Sequence, residues 1–393
     1  MRECRFRDPA THTYASLNSH LFFIVVLRGS IRGYALTRPQ QSFRVGLIGY
    51  GLAGSVFHAP LIEATAGLDL SVIVTGDPVR RAQAKHAHPR ATLFETAAQL
   101  WEHASDLDLI VVASPNRTHV PLAMSALAAG LHVVVDKPLA PTAAEGRQVV
   151  DEARRRGRML TVFQNRRWDG DFLTVRRLLS EHALGTPLRF ESRFERWRPI
   201  PKPGWREQAA PEEAGGLLYD LGSHLIDQAL VLFGPASHVY AELDRRRPSV
   251  EVDDDSFVAL THVSGVRSHL FMSVVAAQLG PRFRLIGSRA AYVKYGLDAQ
   301  EAALRANPRL DSTGFGEDPR DAWGKLGQGD DVRPIPTETG AYQRFYEGVV
   351  AALRGDAPPP VDPFDSLAGL EVIEAAQQSD AEHRVVTIER KSA

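Results

Sequence analysis

The chain predicts an α/β protein in two parts: a parallel sheet wound with helices, then a C-terminal α/β domain built on an open, mostly antiparallel sheet. Three observations predict it. A short apolar strand runs into a glycine-rich turn between Phe43 and Gly54, and further apolar strands then alternate with helical stretches as far as Phe163. From Leu188 onward, strands of period two follow one another with few helices between them. At 393 residues the chain is too long for one ordinary domain and fits two with ample core. The composition is 44% hydrophobic and 24% charged with a formal net charge of -1, which gives no reason to expect nucleic acid or an acidic membrane surface as a partner. A single cysteine, Cys4, excludes an internal disulfide framework and a cysteine-rich metal site, so no metal is expected and the cytoplasm is the natural compartment.

Residues 1–42 are polar and unpatterned except for the apolar run Leu21 to Leu27, which is far too short to span a bilayer. Basic residues flank that run on both sides and no small-x-small cleavage site follows directly, so the segment reads as a poorly ordered extension or an upstream start that the working protein lacks. From Phe43 the pattern changes. Gly49, Gly51 and Gly54, with Leu52 and Ala53 between them, form G-x-G-x-x-G, which lets the backbone turn sharply, approach a pyrophosphate and pack the next helix closely. A strand before it, a helical stretch from Ser55 to Ala64 and a second strand from Leu70 to Thr75 complete the dinucleotide-binding context, a Rossmann domain over residues 43–163.

The second strand ends at Thr75, where an NAD enzyme usually carries an acidic residue for the ribose 2′-hydroxyl, and none is present. Asp77-Pro78 instead reads as a helix N-cap and first helical position, with Arg80 and Arg81 in the opening turn. Cations there oppose the helix dipole unless an anion such as a 2′-phosphate lies beside them, so NADP is favoured over NAD. The alternative is two solvated arginines, with Asp77 reaching the ribose. The run Leu107 to Ala113 reads as a buried parallel strand, and Ser114, Asn116 and His119 follow at its carboxyl end, flanking the cofactor; local capping is the other role for His119. Val133 to Val135 close another strand. Pro138 cannot continue a ladder, so Asp136 and Lys137 stand at the carboxyl edge, where open α/β sheets bind ligands and where a lysine can donate to a substrate oxygen.

The substrate half is expected over residues 164–393. After a strand from Met159 to Phe163 comes Gln164-Asn-Arg-Arg-Trp-Asp169, in which Arg166 and Trp168 suit a polyol or sugar, guanidinium donors meeting hydroxyls and the indole face covering C–H surface; interdomain packing is the competing role. Residues 188–195 alternate, with Leu188, Phe190, Ser192 and Phe194 on the apolar side and Arg189, Glu191, Arg193 and Glu195 on the other. Further strands are expected over 238–243, 256–263, 268–276 and 283–286, leaving one sheet face open for self-association. Between the first two of these strands, Gly215 to Gly234 reads as a helix stopped by Gly234-Pro235, with Asp220 and His224 on one face. A histidine oriented by a carboxylate one turn away suits a general base for an alcohol, and a buried structural pair would look the same. Gly222 inside that helix points to the close approach of a backbone or a flat ring.

Taken together, residues from Phe43 to about Lys391 resemble the Gfo/Idh/MocA oxidoreductases. The resemblance rests on the Gly49 to Gly54 turn, Val135-Asp-Lys-Pro138, Gln164 to Asp169, Tyr219-Asp-Leu-Gly-Ser-His-Leu-Ile-Asp-Gln228 and Tyr295-Gly-Leu-Asp-Ala-Gln-Glu301, and it is strongest to the branch containing NADP-dependent scyllo-inositol dehydrogenases. It implies a catalytic set of Lys137, Asp220 and His224, with hydride transfer between a nicotinamide and a secondary alcohol of a cyclic polyol or sugar. It also implies a homodimer or homotetramer formed through the open sheet. Asp136 stands where the family commonly has Glu. Two other activities occur on this fold: a sensor or repressor that binds the cofactor without turnover, and a glycoside hydrolase that uses bound NAD transiently.

Overall fold

A computed structural model of the protein describes residues 42–201, 214–308, 310 and 314–389. The expected extension therefore lies, up to Gln41, outside the described residues. Those that are described belong to one compact unit beginning at Ser42.

The first sheet consists of β1 (Phe43–Ile48), β2 (Leu68–Val74), β3 (Thr92–Phe94), β4 (Leu109–Val112), β5 (His132–Asp136) and β6 (Leu160–Phe163), all parallel, in the spatial order β3-β2-β1-β4-β5-β6. Their apolar runs are buried on both faces because helices cover both sides, which is why they read as continuous rather than alternating. The strand order reverses between β1 and β4. The crevice outside that switch point is where a doubly wound sheet takes its ligand.

The second sheet adds β7 (Pro187–Glu195), β8 (Ala236–Asp244), β9 (Asp255–His262), β10 (Arg267–Ser273), β11 (Phe283–Gly287), β12 (Ala291–Lys294), β13 (Gly324–Gln328), β14 (Asp331–Ile335) and β15 (Val386–Thr387). Their order is β14-β13-β12-β11-β7-β10-β9-β8-β15, antiparallel except for the β7/β10 pair. Helices Ser223–Phe233 and Pro363–Glu382 pack on one face, against Phe190, Val239 and Leu260 among others. On the other face Glu191 gathers Arg189, Arg193 and Arg284 into a charged lattice. Leu188, assigned to the buried side by its period, is 51% exposed because it lies at the strand's beginning, before the covering helices reach it. Four of the nine strands, β12 to β15, were not anticipated; they are short, and β13 holds two glycines where an alternating apolar face would have been expected.

After β14 the chain returns to the first sheet before its last helix and strand rejoin the second. Helix Gln343–Arg354 places Phe345, Tyr346 and Val349 in one core with Val45, Leu47 and Ile73, and Thr161 Oγ1 of β6 donates to Val361 O at 2.8 Å.

Candidate active site

The glycine turn has the shape its motif requires. Gly49 adopts φ of +104°, and a Cβ there would come within 2.5 Å of Ala113 O at the end of β4. A Cβ on Gly54 would collide with Gly49 O. Gly51, by contrast, has nothing nearer its missing Cβ than Arg80 Nη1 at 3.8 Å, so the open side of the turn is a cradle for a phosphate with a guanidinium at its rim. These residues fit a dinucleotide.

The two arginines expected to read a 2′-phosphate part ways. Asp77 caps the helix Pro78–Ala87, its carboxylate accepting from Val79 N and Arg80 N at 2.9 Å each. Arg80 makes no ion pair among the described residues, whereas Arg81 donates to Glu95. Thr75 is buried, with its N–H on Phe94 O at 3.0 Å.

Between the two sheets lies a cleft of about 660 Å³, lined by Leu52, Ala53, Asp136, Lys137, Arg166, Asp220 and His224. Lys137 arrives at the end of β5, where the Lys137–Pro138 bond is cis, and its Nζ donates to Asp220 O at 2.5 Å and to Asp220 Oδ1 at 3.0 Å. The expected arrangement is thereby corrected: Asp220 holds Lys137, and no bond joins it to His224. The reason is local. Residues Leu218–Gly222 form a π-helical turn ahead of the α-helix Ser223–Phe233, and the wider turn breaks the stacking that four-residue spacing gives in an α-helix. A second π-helical turn, Ala53–His58, follows the glycine motif, so both segments entering the cleft carry this uncommon geometry.

His224 is buried, and its Nδ1 has no hydrogen-bond partner among the described residues. Burial first, then the charges of Lys137, Arg166, Arg282 and Arg196, hold its pKa well below the ordinary histidine value of 6.5. Asp136 has His58 Nε2 3.6 Å from its carboxylate, an ion-pair distance beyond a hydrogen bond, and His58 Nδ1 meets Tyr346 Oη at 2.7 Å. Burial opposes the charge of Asp136, but His58 and Lys137 outweigh it and keep the carboxyl below its usual range. Asp136, where the family commonly has Glu, is thus a partly buried anion next to Lys137 at the edge of the cleft.

Other expected residues are elsewhere. His119 is fully buried, with Nδ1 2.7 Å from Pro138 O and Nε2 2.9 Å from Ser114 O, so the one N–H of a neutral ring donates to one of these carbonyls; it sits between the ends of β4 and β5 and makes no capping bond to its helix. Ser114 Oγ meets Thr118 Oγ1 at 2.6 Å, while Asn116 Nδ2 donates to Ala214 O at 3.0 Å, tying β4 to the segment that begins the Asp220 turn. Trp168 stands edge-on to Phe345 at 5.8 Å, outside the cleft, so packing wins over substrate contact there. Arg166 does line the cleft, but its guanidinium is held by Glu301 at 2.7 Å and Asp169 at 3.4 Å. The neighbours of Gly222 are the Leu218 and Met272 side chains, at 3.2 and 3.3 Å from a Cβ, rather than a backbone or a ring. Sequence reasoning missed Asn165, Arg196 and Arg198, which also line the cleft; the two arginines continue the alternation of β7, the one signal that could have found them. No group of three or more His, Cys, Asp or Glu side chains among the described residues is placed to hold a metal, and no described helix is long and apolar enough to cross a membrane.

Comparison with known proteins agrees with this geometry. Residues 43–164 match the family described as an oxidoreductase family with an NAD-binding Rossmann fold, and residues 172–293 match the GFO/IDH/MocA C-terminal domain. The chain is 41% identical over 347 residues to the uncharacterized oxidoreductase YdgJ of Escherichia coli K12, covering 88% of this chain and 98% of that one. It is 35% identical over 358 residues to IolW of Bacillus subtilis 168, a scyllo-inositol 2-dehydrogenase (NADP(+)), covering 90% and 98%. Among solved structures, the oxidoreductase YPO2259 of Yersinia pestis superposes with a TM-score of 0.82 at 39% identity, covering 90% of this chain and 99% of that one. The chain belongs to the Gfo/Idh/MocA family and is an NAD(P)-dependent oxidoreductase.

Proposed function

We propose that the protein is an NADP-preferring dehydrogenase that interconverts a secondary alcohol and a ketone on a cyclic polyol or sugar, in the manner of a scyllo-inositol dehydrogenase. The observation that carries this reading is the cleft itself: a lysine held by Asp220 and a buried neutral histidine, His224, share it with Leu52 and Ala53 of the glycine turn. When bound, the nicotinamide supplies or accepts the hydride. Gly49, Gly51 and Gly54 would hold the pyrophosphate, and Arg80 alone of the arginine pair would hold the 2′-phosphate.

The protein's own residues then divide the work. His224, kept neutral, takes the hydroxyl proton at a ring nitrogen, and the surrounding cations favour its return in the reverse direction. Lys137 donates to the substrate oxygen and stabilises the negative charge that develops on it. Asp220 is a positioning residue for Lys137, as its bond at 3.0 Å indicates, and Asp136 supplies fixed negative charge beside the same ammonium.

The reading also takes the charged open face of the second sheet as the surface through which the protein forms a homodimer or homotetramer, and the cytoplasm as its place of action. A panel of inositols, aldoses and their ketones, followed by absorbance of the reduced nicotinamide, tests the activity. Turnover faster with NADP than with NAD is expected on at least one cyclic polyol or sugar; tight cofactor binding with no turnover on any of them would point to the sensor instead.

A further inference from the structure

We propose that Arg196 and Arg198 make the cleft select substrates carrying an anionic group, a carboxylate or a phosphate, on the polyol or sugar skeleton. The inference rests on the dehydrogenase reading above and names its substrate class. Immediately after β7 the chain stays paired with the end of β10: Arg196 N donates to Ser273 O at 2.8 Å and Arg198 N to Val274 O at 2.7 Å. Extended backbone sends alternate side chains to opposite sides. Arg196 and Arg198 accordingly face the cleft, whereas Trp197 between them lies on the other side, bridged to Val275 and 55% exposed. Two guanidinium groups are thus held two residues apart on one wall by backbone pairing.

What separates them from the other cations of the cleft is their company. Arg166 and Arg305 both bond Glu301, Arg247 bonds Asp254 and Lys137 bonds Asp220. Among the described residues no carboxylate lies within ion-pair distance of Arg196 or Arg198. Arg196 instead has its guanidinium carbon over the Phe194 ring at 4.7 Å, a contact that occupies no acceptor for its N–H groups. Burial and the adjacent Arg198 work against its charge more than the carboxylates of Asp220 and Glu301, beyond ion-pair distance, support it, so an anion brought to this wall would be favoured. A neutral hydroxyl can accept from a guanidinium but leaves the charge uncompensated, while a carboxylate or phosphate accepts two parallel N–H bonds and compensates it.

The test is calorimetric titration of the full chain, saturated with NADP, with D-glucuronate, D-glucose 6-phosphate and D-glucose. At least one anionic sugar should bind roughly tenfold or more tightly than glucose, a difference of about 1.4 kcal/mol. Which of the two does so tells carboxylate from phosphate. The ratio should fall toward one in the Arg196→Gln/Arg198→Gln double variant, and in the parent as salt is raised. Glucose binding as tightly as both anions, no saturable binding by either anion, or a parent ratio indifferent to salt, would overturn the proposal without needing the variant to fold. Nicotinamide absorbance separates the two readings: turnover on neutral polyols without any preference for anions sinks this inference alone. An anion preference with no turnover on any sugar sinks the dehydrogenase reading and leaves the arginine pair standing.

Discussion

Two polar clusters lie close together in this molecule and are made of the same residue types, yet they differ in how their charges are paired. Under the cleft, Arg167 forks onto Asp227 at 2.6 and 2.8 Å and also reaches Asp365 at 3.0 Å, Tyr342 Oη donates to Asp169 at 2.7 Å, and Gln228 links Arg166 O to Arg282 at 2.9 Å on each side. In the cleft, His224 Nδ1 has no partner, and Arg196 and Arg198 have no carboxylate within ion-pair distance, among the described residues. Each carboxylate named there has a cation or a phenol as partner, and such pairing fixes structure even though Arg166 Nε and Arg282 Nε carry no hydrogen bond. A site that is to bind something keeps groups facing its cavity without a counter-charge, so chemistry is marked here by pairing more than by residue type.

The comparison breaks first at Lys137. Lys137→Ala should fold and retain cofactor but lose roughly 100-fold to 1,000-fold in kcat, because its contact strengthens only as charge forms on the substrate oxygen. Loss of less than about threefold would remove Lys137 from the mechanism. Arg167→Ala should do the reverse. It strands Asp227 as an unpaired buried carboxylate, with an expected loss of roughly 3 to 5 kcal/mol of stability. Calorimetric melting checks it, and a variant melting with the parent would show that the lower cluster is not structural.

pH sharpens the contrast. With its pKa well below 6.5, His224 stays neutral as pH falls through 6.5, so the acid limb of kcat/KM for alcohol oxidation should lie clearly below that value. In the same range the folded protein takes up fewer protons at this site than the unfolded chain does. Stability from His224 is therefore present above pH 6.5 and declines as pH drops below it, and His224→Gln should flatten that part of the melting curve's pH dependence. An oxidation rate halved at pH 6.5 itself would mean an unshifted histidine. The smallest effect is expected at the rim: Arg80→Ala should raise KM for NADP by about tenfold while changing KM for NAD little, since a charge-assisted bond to phosphate contributes about 1.5 to 3 kcal/mol. Equal loss with both cofactors would show that Arg80 supports the turn and does not read the ribose.

The parts of this site that could be read from sequence are those set by local stereochemistry. Gly49 and Gly54 have no room for a Cβ, Asp77-Pro78 caps its own helix, and Pro138 ends its own strand, so each announces itself within a few residues. Other residues are governed by partners distant in sequence. His119 takes its role from Pro138, Trp168 from Phe345 and Arg81 from Glu95, and nothing near those residues in the chain reveals which neighbour folding will bring. Asp220 was misjudged because four-residue spacing implies stacking only in an α-helix, and the extra residue of a π-helical turn leaves no periodic mark. Arg196 and Arg198 continue the register of Phe190 and Phe194, and arginines on the apolar side past the end of a regular alternation carry no further local sign that they line a cleft.

The return of helix Gln343–Arg354 to the first sheet also sets an order of assembly during synthesis. The glycine turn and all six parallel strands have been made by Phe163, but Tyr346, the partner of His58, and Val361, the acceptor of Thr161, are added almost two hundred residues later. Until then a nascent chain carries a nucleotide fold with one apolar flank uncovered, a surface for chaperones or for collapse against its own unfinished second sheet. The glycine turn is thus encoded first and its sheet covered last, so a ribosome that stops at Arg333 would release a protein holding every glycine of its motif and lacking the helix that packs on Val45, Leu47 and Ile73.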